Sequence, residues 1–337
     1  MKAVHITGPG TIAIVDIPAP KPKSGEALLK ILYCGICGSD VQTYTGNQPF
    51  ASYPRIPGHE FSARIEAIGT NDRGLTEGMI VTAVPYFNCG ACHPCRTGRK
   101  NCCEKNETMG VQRDGCFAEY IVMPVDHIID GKSLSPKTLS LIEPFSISAH
   151  AISRGGVRAN DNVLVIGTGP IGMFAVIAAK RIGARVHAAD VFDDRLSMAR
   201  SLGADGVINT KNDVLKERVA ALTDGAGMDV CVEAAGLPET FLAAIDAAAF
   251  SGTLILICNG KRETTFNHSI LLKKELSVFG SRNSLNDFPP LIDAVASGRT
   301  VIDRLITDVY PFSDAVSAFE RLRNNDGSTA KVLVSFE

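Results

Sequence analysis

The chain has 337 residues, is 45% hydrophobic and 21% charged, and carries a formal net charge of −2. Its length fits two domains of about 150 residues each, and its composition is that of an ordinary globular protein able to bury sizeable cores. The near-balanced charge excludes a broad electrostatic pull toward nucleic acid or an acidic membrane surface.

The first stretch, MKAVHITGPG, lacks the apolar core of a secretory signal. Several of the ten cysteines are packed two residues apart, which suits metal binding better than disulfides. The expectation is therefore a reducing cytoplasm.

The first 145 residues are rich in Gly, Pro and β-formers. Residues 27–33, 65–68, 80–84 and 119–122 read as short strands between turns, so the first domain is expected to be β-rich. The texture changes near residue 146. Short apolar runs at 163–166, 185–189, 230–233 and 253–257 alternate with helical patterns at 171–182, 195–202, 212–222 and 238–248. That alternation predicts an α/β domain with a parallel sheet and right-handed crossovers. Residues 163–179 carry no charge, but Gly167, Gly169, Pro170 and Gly172 interrupt them, so strand, turn and buried helix explain them better than a membrane span. Residues 288–296 and 312–323 read as helices and 331–335 as a last strand, in a tail expected to fold back onto the first domain.

The strand at 163–166 runs into Gly167-Thr168-Gly169-Pro170-Ile171-Gly172, which opens a helix. This is G-x-G-x-x-G in the strand–turn–helix setting that binds dinucleotides. Gly167 permits the tight turn, Gly169 removes a side chain where pyrophosphate approaches, and Gly172 lets helix and strand pack closely. The helix opens with Pro170, which has no N–H to leave unpaired, and the unpaired N–H groups after it, beginning with Ile171 and Gly172, favour phosphate. The second strand ends at Asp190, 18 residues past Gly172. An acid there accepts hydrogen bonds from ribose hydroxyls and repels a 2′-phosphate, which points to NAD rather than NADP. Arg195 can pair with the cofactor or flank Asp190. The plainer reading of Asp190 is a cap on the next helix.

Cys89, Cys92, Cys95 and Cys103 fall within 15 residues. Four thiolates at this spacing can close a tetrahedral zinc site from one loop, and a closed site of this kind is structural. Asn88, Gly90, Pro94 and Gly98 supply the bends, and Cys102 neighbours the fourth ligand. The plainer reading is four unrelated buried or redox cysteines. A second set is dispersed: Cys37 in Cys34-Gly35-Ile36-Cys37-Gly38-Ser39-Asp40, His59 with Glu60 in Pro57-Gly58-His59-Glu60, and Glu143. No spacing rule links these, and each alone reads as ordinary filler.

In this order, the motifs resemble the zinc-containing medium-chain alcohol dehydrogenases, over essentially the whole chain. The resemblance implies a GroES-like catalytic domain at 1–145, completed by 283–337, and a Rossmann NAD-binding domain at 146–282. It also implies that Cys37 and His59 bind a catalytic zinc. The third ligand in the sorbitol-dehydrogenase branch is a Glu in an E-P dipeptide, here Glu143-Pro144, bound directly or through water. Glu60 lies close to the metal in that family and can exchange in as a ligand. The four-cysteine lobe matches the family's structural zinc. Ser39 would take the substrate proton, and Asp40 would hold His59 or orient the ligand turn. Many relatives carry a His five residues after the zinc Cys, but this sequence has Gln42, which cannot titrate; His150 is one alternative.

Within that branch, Gly46-Asn47-Gln48-Pro49-Phe50, Tyr53-Pro54-Arg55, the segment from Glu143 to His150 and Gly280-Ser281-Arg282-Asn283 resemble bacterial sugar-acid dehydrogenases acting on aldonates such as L-galactonate or L-gulonate. This implies NAD-linked oxidation of a secondary alcohol in a homodimer or homotetramer, with residues 253–279 as a contact edge. Arg282, with Asn283 beside it, is the candidate for gripping a substrate carboxylate; the plainer reading of Arg282 is a salt bridge. Rival substrates are neutral polyols (sorbitol, galactitol) and L-threonine. A zinc-free enone reductase is disfavoured by the cysteine lobe. A zinc-ribbon binding protein is disfavoured because no basic stripe accompanies that lobe.

Overall fold

The computed structural model describes residues 1–260 and 262–337. It divides into two units, Met1–Glu143 with Phe288–Glu337, and Pro144–Asp287. Among the described residues no helix is long and apolar enough to cross a membrane.

The first unit is built on a seven-stranded sheet. Its path runs Ile306–Pro311, Lys331–Ser335, Glu26–Gly35, Glu60–Ile68, Ile80–Ala83, Ile128–Asp130, and Tyr120–Pro124 pairs with Glu26–Gly35 beside that path. The tail therefore supplies two strands of this sheet, of which the sequence reading marks only 331–335. Lys331–Ser335 lies antiparallel to Glu26–Gly35, with Leu333 opposite Gly35. Glu26–Gly35 is antiparallel to Glu60–Ile68, with Gly35 opposite Glu60. Apolar residues on one face build the core, where Phe61, Phe117 and Phe319 are fully buried and the Phe117 and Phe319 rings meet edge-on at 5.3 Å. Burying three such rings contributes strongly because each removes a large apolar area from water.

The second unit is a six-stranded sheet in the order Gly206–Asn209, Arg185–Asp190, Asn162–Ile166, Met228–Glu233, Ala248–Leu256, Ser277–Gly280. Every neighbouring pair is parallel. Numbered along the chain this is 3-2-1-4-5-6, the Rossmann order. The central strands are apolar on both faces, as a sheet covered on both sides requires. Val163, Leu164 and Val165 are fully buried, and so are Cys231 and Val232. The two outermost strands escape the sequence reading for a physical reason. Gly206–Asn209 and Ser277–Gly280 have four residues each and little burial, so neither makes an apolar run. The helix Ile142–Arg154 is also unanticipated.

Candidate active site

The register of two strands assembles the dispersed cluster. Because Gly35 faces Glu60, the turn after Gly35, which carries Cys37, lies beside the turn before Glu60, which carries His59. One buried carboxylate ties the turns together: Asp40 accepts the Cys37 N–H at 2.9 Å and the Gly58 N–H at 2.9 Å. Gly58 has φ +97°, and a Cβ there would stand 2.5 Å from the Phe117 ring, so only glycine allows this approach. As a result, ligand atoms of Cys37, His59 and Glu60 all lie within 4.8 Å of one another. His59 and Glu60 are buried. Asp40 orients the ligand turns through their backbone rather than gripping the His59 ring.

Glu143 stands outside that trio but belongs to the same charged cluster. It accepts a hydrogen bond from the Tyr86 hydroxyl. Burial raises its pKa to about 7, helped by the Glu60 charge and opposed by His59, Tyr86 and Lys331. Burial alone would lower the pKa of His59, but the Cys37 sulfur beside it, with Asp40 and Glu143, pushes it well above the ordinary histidine value. Glu60 forms a buried ion pair with Lys331 from the last strand. Tyr86 and Lys331 carry no local motif, and sequence reading misses both.

The donor set fits a divalent metal. It combines a thiol, an imidazole and carboxylates in one buried place, and His59 Nδ1 is buried with no hydrogen-bond partner among the described residues. Ser39 Oγ, two residues from Cys37, is likewise buried without a partner. Gln42 spends its carbonyl on the Asn47 and Gln48 N–H groups. His150 belongs to the second unit, where its Nδ1 lies 3.3 Å from Asp287 Oδ2.

Cys89, Cys92, Cys95 and Cys103 form the other cluster, again within 4.8 Å. The Cys92–Cys103 and Cys103–Cys89 sulfurs are 3.8 and 3.6 Å apart. Sulfurs around zinc with bonds of ~2.3 Å make a tetrahedron of edge ~3.8 Å, so the spacing fits. The backbone N–H groups of Ala91 and Cys92 aim at the Cys89 sulfur and lower its pKa to about 6. Burial and bonding to Cys92 and Cys103 raise Cys95 to about 12. The loop thus favours a thiolate at Cys89 before any metal enters. Asn88 ties the loop ends by donating to the Lys100 carbonyl and to Asn106.

In the second unit the strand Asn162–Ile166 delivers the glycine turn to the helix Pro170–Ile182. Gly167 has φ +91°, and a Cβ on Gly172 would collide with the Gly167 carbonyl. A Cβ on Gly169 would meet nothing within 4 Å, which leaves room beside the helix start. Pro170 occupies the first turn, where its missing N–H is harmless, and Ile171 follows it. Asp190 ends the second strand and takes four hydrogen bonds. Thr168 donates its N–H at 2.7 Å and its hydroxyl at 2.9 Å to one oxygen; the Val191 and Phe192 N–H groups donate to the other at 2.7 and 3.2 Å. Arg195 stands 3.9 Å from the same carboxylate and lies over the Phe192 ring. Asp190 thus binds the glycine turn to the approach of the next helix. These features fit a dinucleotide. Arg282 follows the edge strand and is exposed, while Asn283 adopts φ +51° with a buried Nδ2 that has no hydrogen-bond partner among the described residues.

Residues 23–133 match the alcohol dehydrogenase GroES-like domain, and residues 170–297 match the zinc-binding dehydrogenase family. The L-galactonate-5-dehydrogenase of Escherichia coli (strain K12) is 35% identical over 318 residues, covering 94% of each chain. The sorbitol dehydrogenase of Halalkalibacterium halodurans is 33% identical over 345 residues, covering 99% of each. A short chain alcohol dehydrogenase (rspB) from E. coli CFT073, solved with NADH, superposes with a TM-score of 0.93 at 33% identity, over 100% of this chain and 99% of that one. Matched along its whole length in both sequence and fold, the chain belongs to the zinc-type medium-chain alcohol dehydrogenase family, and with it to the zinc- and nicotinamide-dependent oxidoreductases.

Proposed function

We propose that the protein oxidises a secondary alcohol of a sugar acid to a ketone with NAD⁺, in the manner of an L-galactonate or L-gulonate 5-dehydrogenase. The observation that carries the chemistry is the buried convergence of Cys37, His59 and Glu60. The substrate class rests on the likeness to L-galactonate-5-dehydrogenase and on the Arg282 guanidinium as a fork for a carboxylate.

In this reading Cys37 and His59 hold the catalytic zinc, with Glu143 or Glu60 as the carboxylate ligand, and the four-cysteine loop holds a structural zinc. Bound zinc supplies Lewis acidity and bound NAD⁺ supplies the hydride acceptor. Asp40 keeps the Cys37 and His59 turns in register. The unpartnered Ser39 hydroxyl takes the alcohol proton, since Gln42 cannot titrate. Gly167, Gly169, Pro170, Ile171 and Gly172 form the pyrophosphate turn, and Asp190 with Arg195 faces the ribose. Arg282 and Asn283 orient the substrate.

We further propose a cytoplasmic homodimer or homotetramer with residues 253–279 at the contact. Light scattering tests this, and a monomer mass contradicts it. NADH formation from zinc-replete protein tests the substrate on L-galactonate, L-gulonate, D-gluconate, sorbitol, galactitol and L-threonine. Turnover on one aldonate epimer, with Arg282→Lys raising its KM far more than that of a neutral polyol, is the expected result. Turnover only on neutral polyols or threonine removes the carboxylate role of Arg282.

A further inference from the structure

Lys331 opens the last strand and is 2% exposed. Burying an ammonium is strongly unfavourable unless it is paired. Its partner is Glu60, the residue after the His59 ligand, and both side chains are almost fully buried. Lys331 also donates to the Ile36 carbonyl at 3.4 Å. The strand fixes this placement: the Ile36 N–H donates to the Val332 carbonyl, and Leu333 faces Gly35. Gly35 makes the room, since a Cβ there would collide with Glu60 Oε2 and stand 3.2 Å from Lys331 Cε. A bulky residue at position 35 would break the pair, so backbone, glycine and strand register converge on one contact.

Two carboxylates therefore stand in one charged cluster under different conditions. Glu60 is within ligand distance of Cys37 and His59 but is held by a cation. Glu143 takes a hydrogen bond from the neutral Tyr86 hydroxyl. A carboxylate paired to an ammonium gives up part of its attraction for a dication, whereas one that accepts a hydrogen bond from a neutral phenol gives up less.

We propose that Lys331 is a positioning residue that holds the Glu60 carboxylate off the catalytic metal and so leaves the carboxylate ligand position to Glu143. This rests on the reading of Cys37 and His59 as metal ligands. Removing the ammonium hands Glu60 to the metal, whereas keeping the charge as arginine does not.

The test uses full-length protein with cobalt in the catalytic site and zinc in the cysteine loop. Tetrahedral cobalt absorbs visible light much more strongly than cobalt with added ligands. In Lys331→Met the visible absorption is expected to weaken, and metal release to a chelator is expected to slow about tenfold, the scale on which outer residues tune metal affinity. Lys331→Arg keeps the wild-type spectrum, and Lys331→Met with Glu60→Gln returns to it. Unchanged spectrum and release in Lys331→Met overturn the proposal, as does a change that persists in the double variant. If Lys331→Met does not fold, the charge-neutral pair Lys331→Gln with Glu60→Gln decides. A wild-type spectrum supports the proposal, and an altered one means Glu60 was already a ligand and overturns it. Wild-type protein that takes up only the cysteine-loop metal is a separate outcome, which defeats the assignment of Cys37 and His59 and this proposal with it.

Discussion

Asp40 and Gly58 are joined by a hydrogen bond of 2.9 Å from the Gly58 N–H to Asp40 Oδ1, and through it the turn before His59 is locked to the turn that carries Cys37. Asp40 is fully buried, and burial raises its pKa, opposed by the His59 charge and by the two N–H groups it accepts. Asp40→Ala leaves those donors without an acceptor, and each buried, unsatisfied donor costs about 1–3 kcal/mol. The expected result is a loss of roughly 3 kcal/mol of stability and a fall in zinc content to the cysteine-loop equivalent. Asp40→Asn, which keeps one oxygen acceptor, is expected to lose less. Denaturant unfolding with metal analysis measures both, and an unchanged midpoint with full zinc contradicts the bridging role.

Asp190 sits between two jobs. With four donors from Thr168, Val191 and Phe192, it braces the glycine turn, and the proposed function gives it a ribose to face as well. Asp190→Ala is therefore expected to lower the melting temperature and to move the NAD⁺/NADP⁺ preference toward NADP⁺. A shift in preference without any loss of stability would mean that the bracing bonds are energetically idle.

Cys103 is fully buried and its sulfur reaches both Cys89 and Cys92. Cys103→Ser is expected to lose one zinc per chain and to unfold at lower temperature, because a structural metal couples to folding. Retention of both metals and of the melting temperature contradicts a zinc site in this loop.

His187 lies inside the second unit, and neither ring nitrogen has a hydrogen-bond partner among the described residues. Burial lowers its pKa; Asp205 opposes the shift, while Arg185 and Lys180 add to it. The folded value lies below the unfolded value of about 6.5, so the unfolded chain binds the proton first. Stability is then fully present above that pH and is lost as the pH falls below it, at up to ~1.4 kcal/mol per unit. His187→Leu is expected to flatten this acid limb between pH 7.5 and 5.5, and an identical slope in both proteins contradicts it.

The sequence shows what is local. The four cysteines and the glycine turn each lie within a few residues, and their spacing alone names their chemistry. Cys37, His59 and Glu143 have no common spacing; only the family resemblance links them, and the Gly35–Glu60 strand register explains why Cys37 and His59 meet. Lys331 and Tyr86 leave no trace in the sequence. Lys331 reaches the cluster from 295 residues beyond Ile36, through a strand whose pattern reads only as apolar. Tyr86 sits on a two-residue strand paired with Glu107–Thr108, which no period of hydrophobicity can reveal. The edge strands of the Rossmann sheet were hidden because strands with little burial lose the apolar signature that marks their neighbours.

The most direct test of the account is Cys37→Ser, followed by zinc content, NAD⁺ affinity and alcohol oxidation. The account predicts one zinc per chain instead of two, NAD⁺ affinity close to wild type, and no measurable NADH formation. Substantial turnover, or retention of both zincs, would contradict the catalytic metal site built from Cys37 and His59.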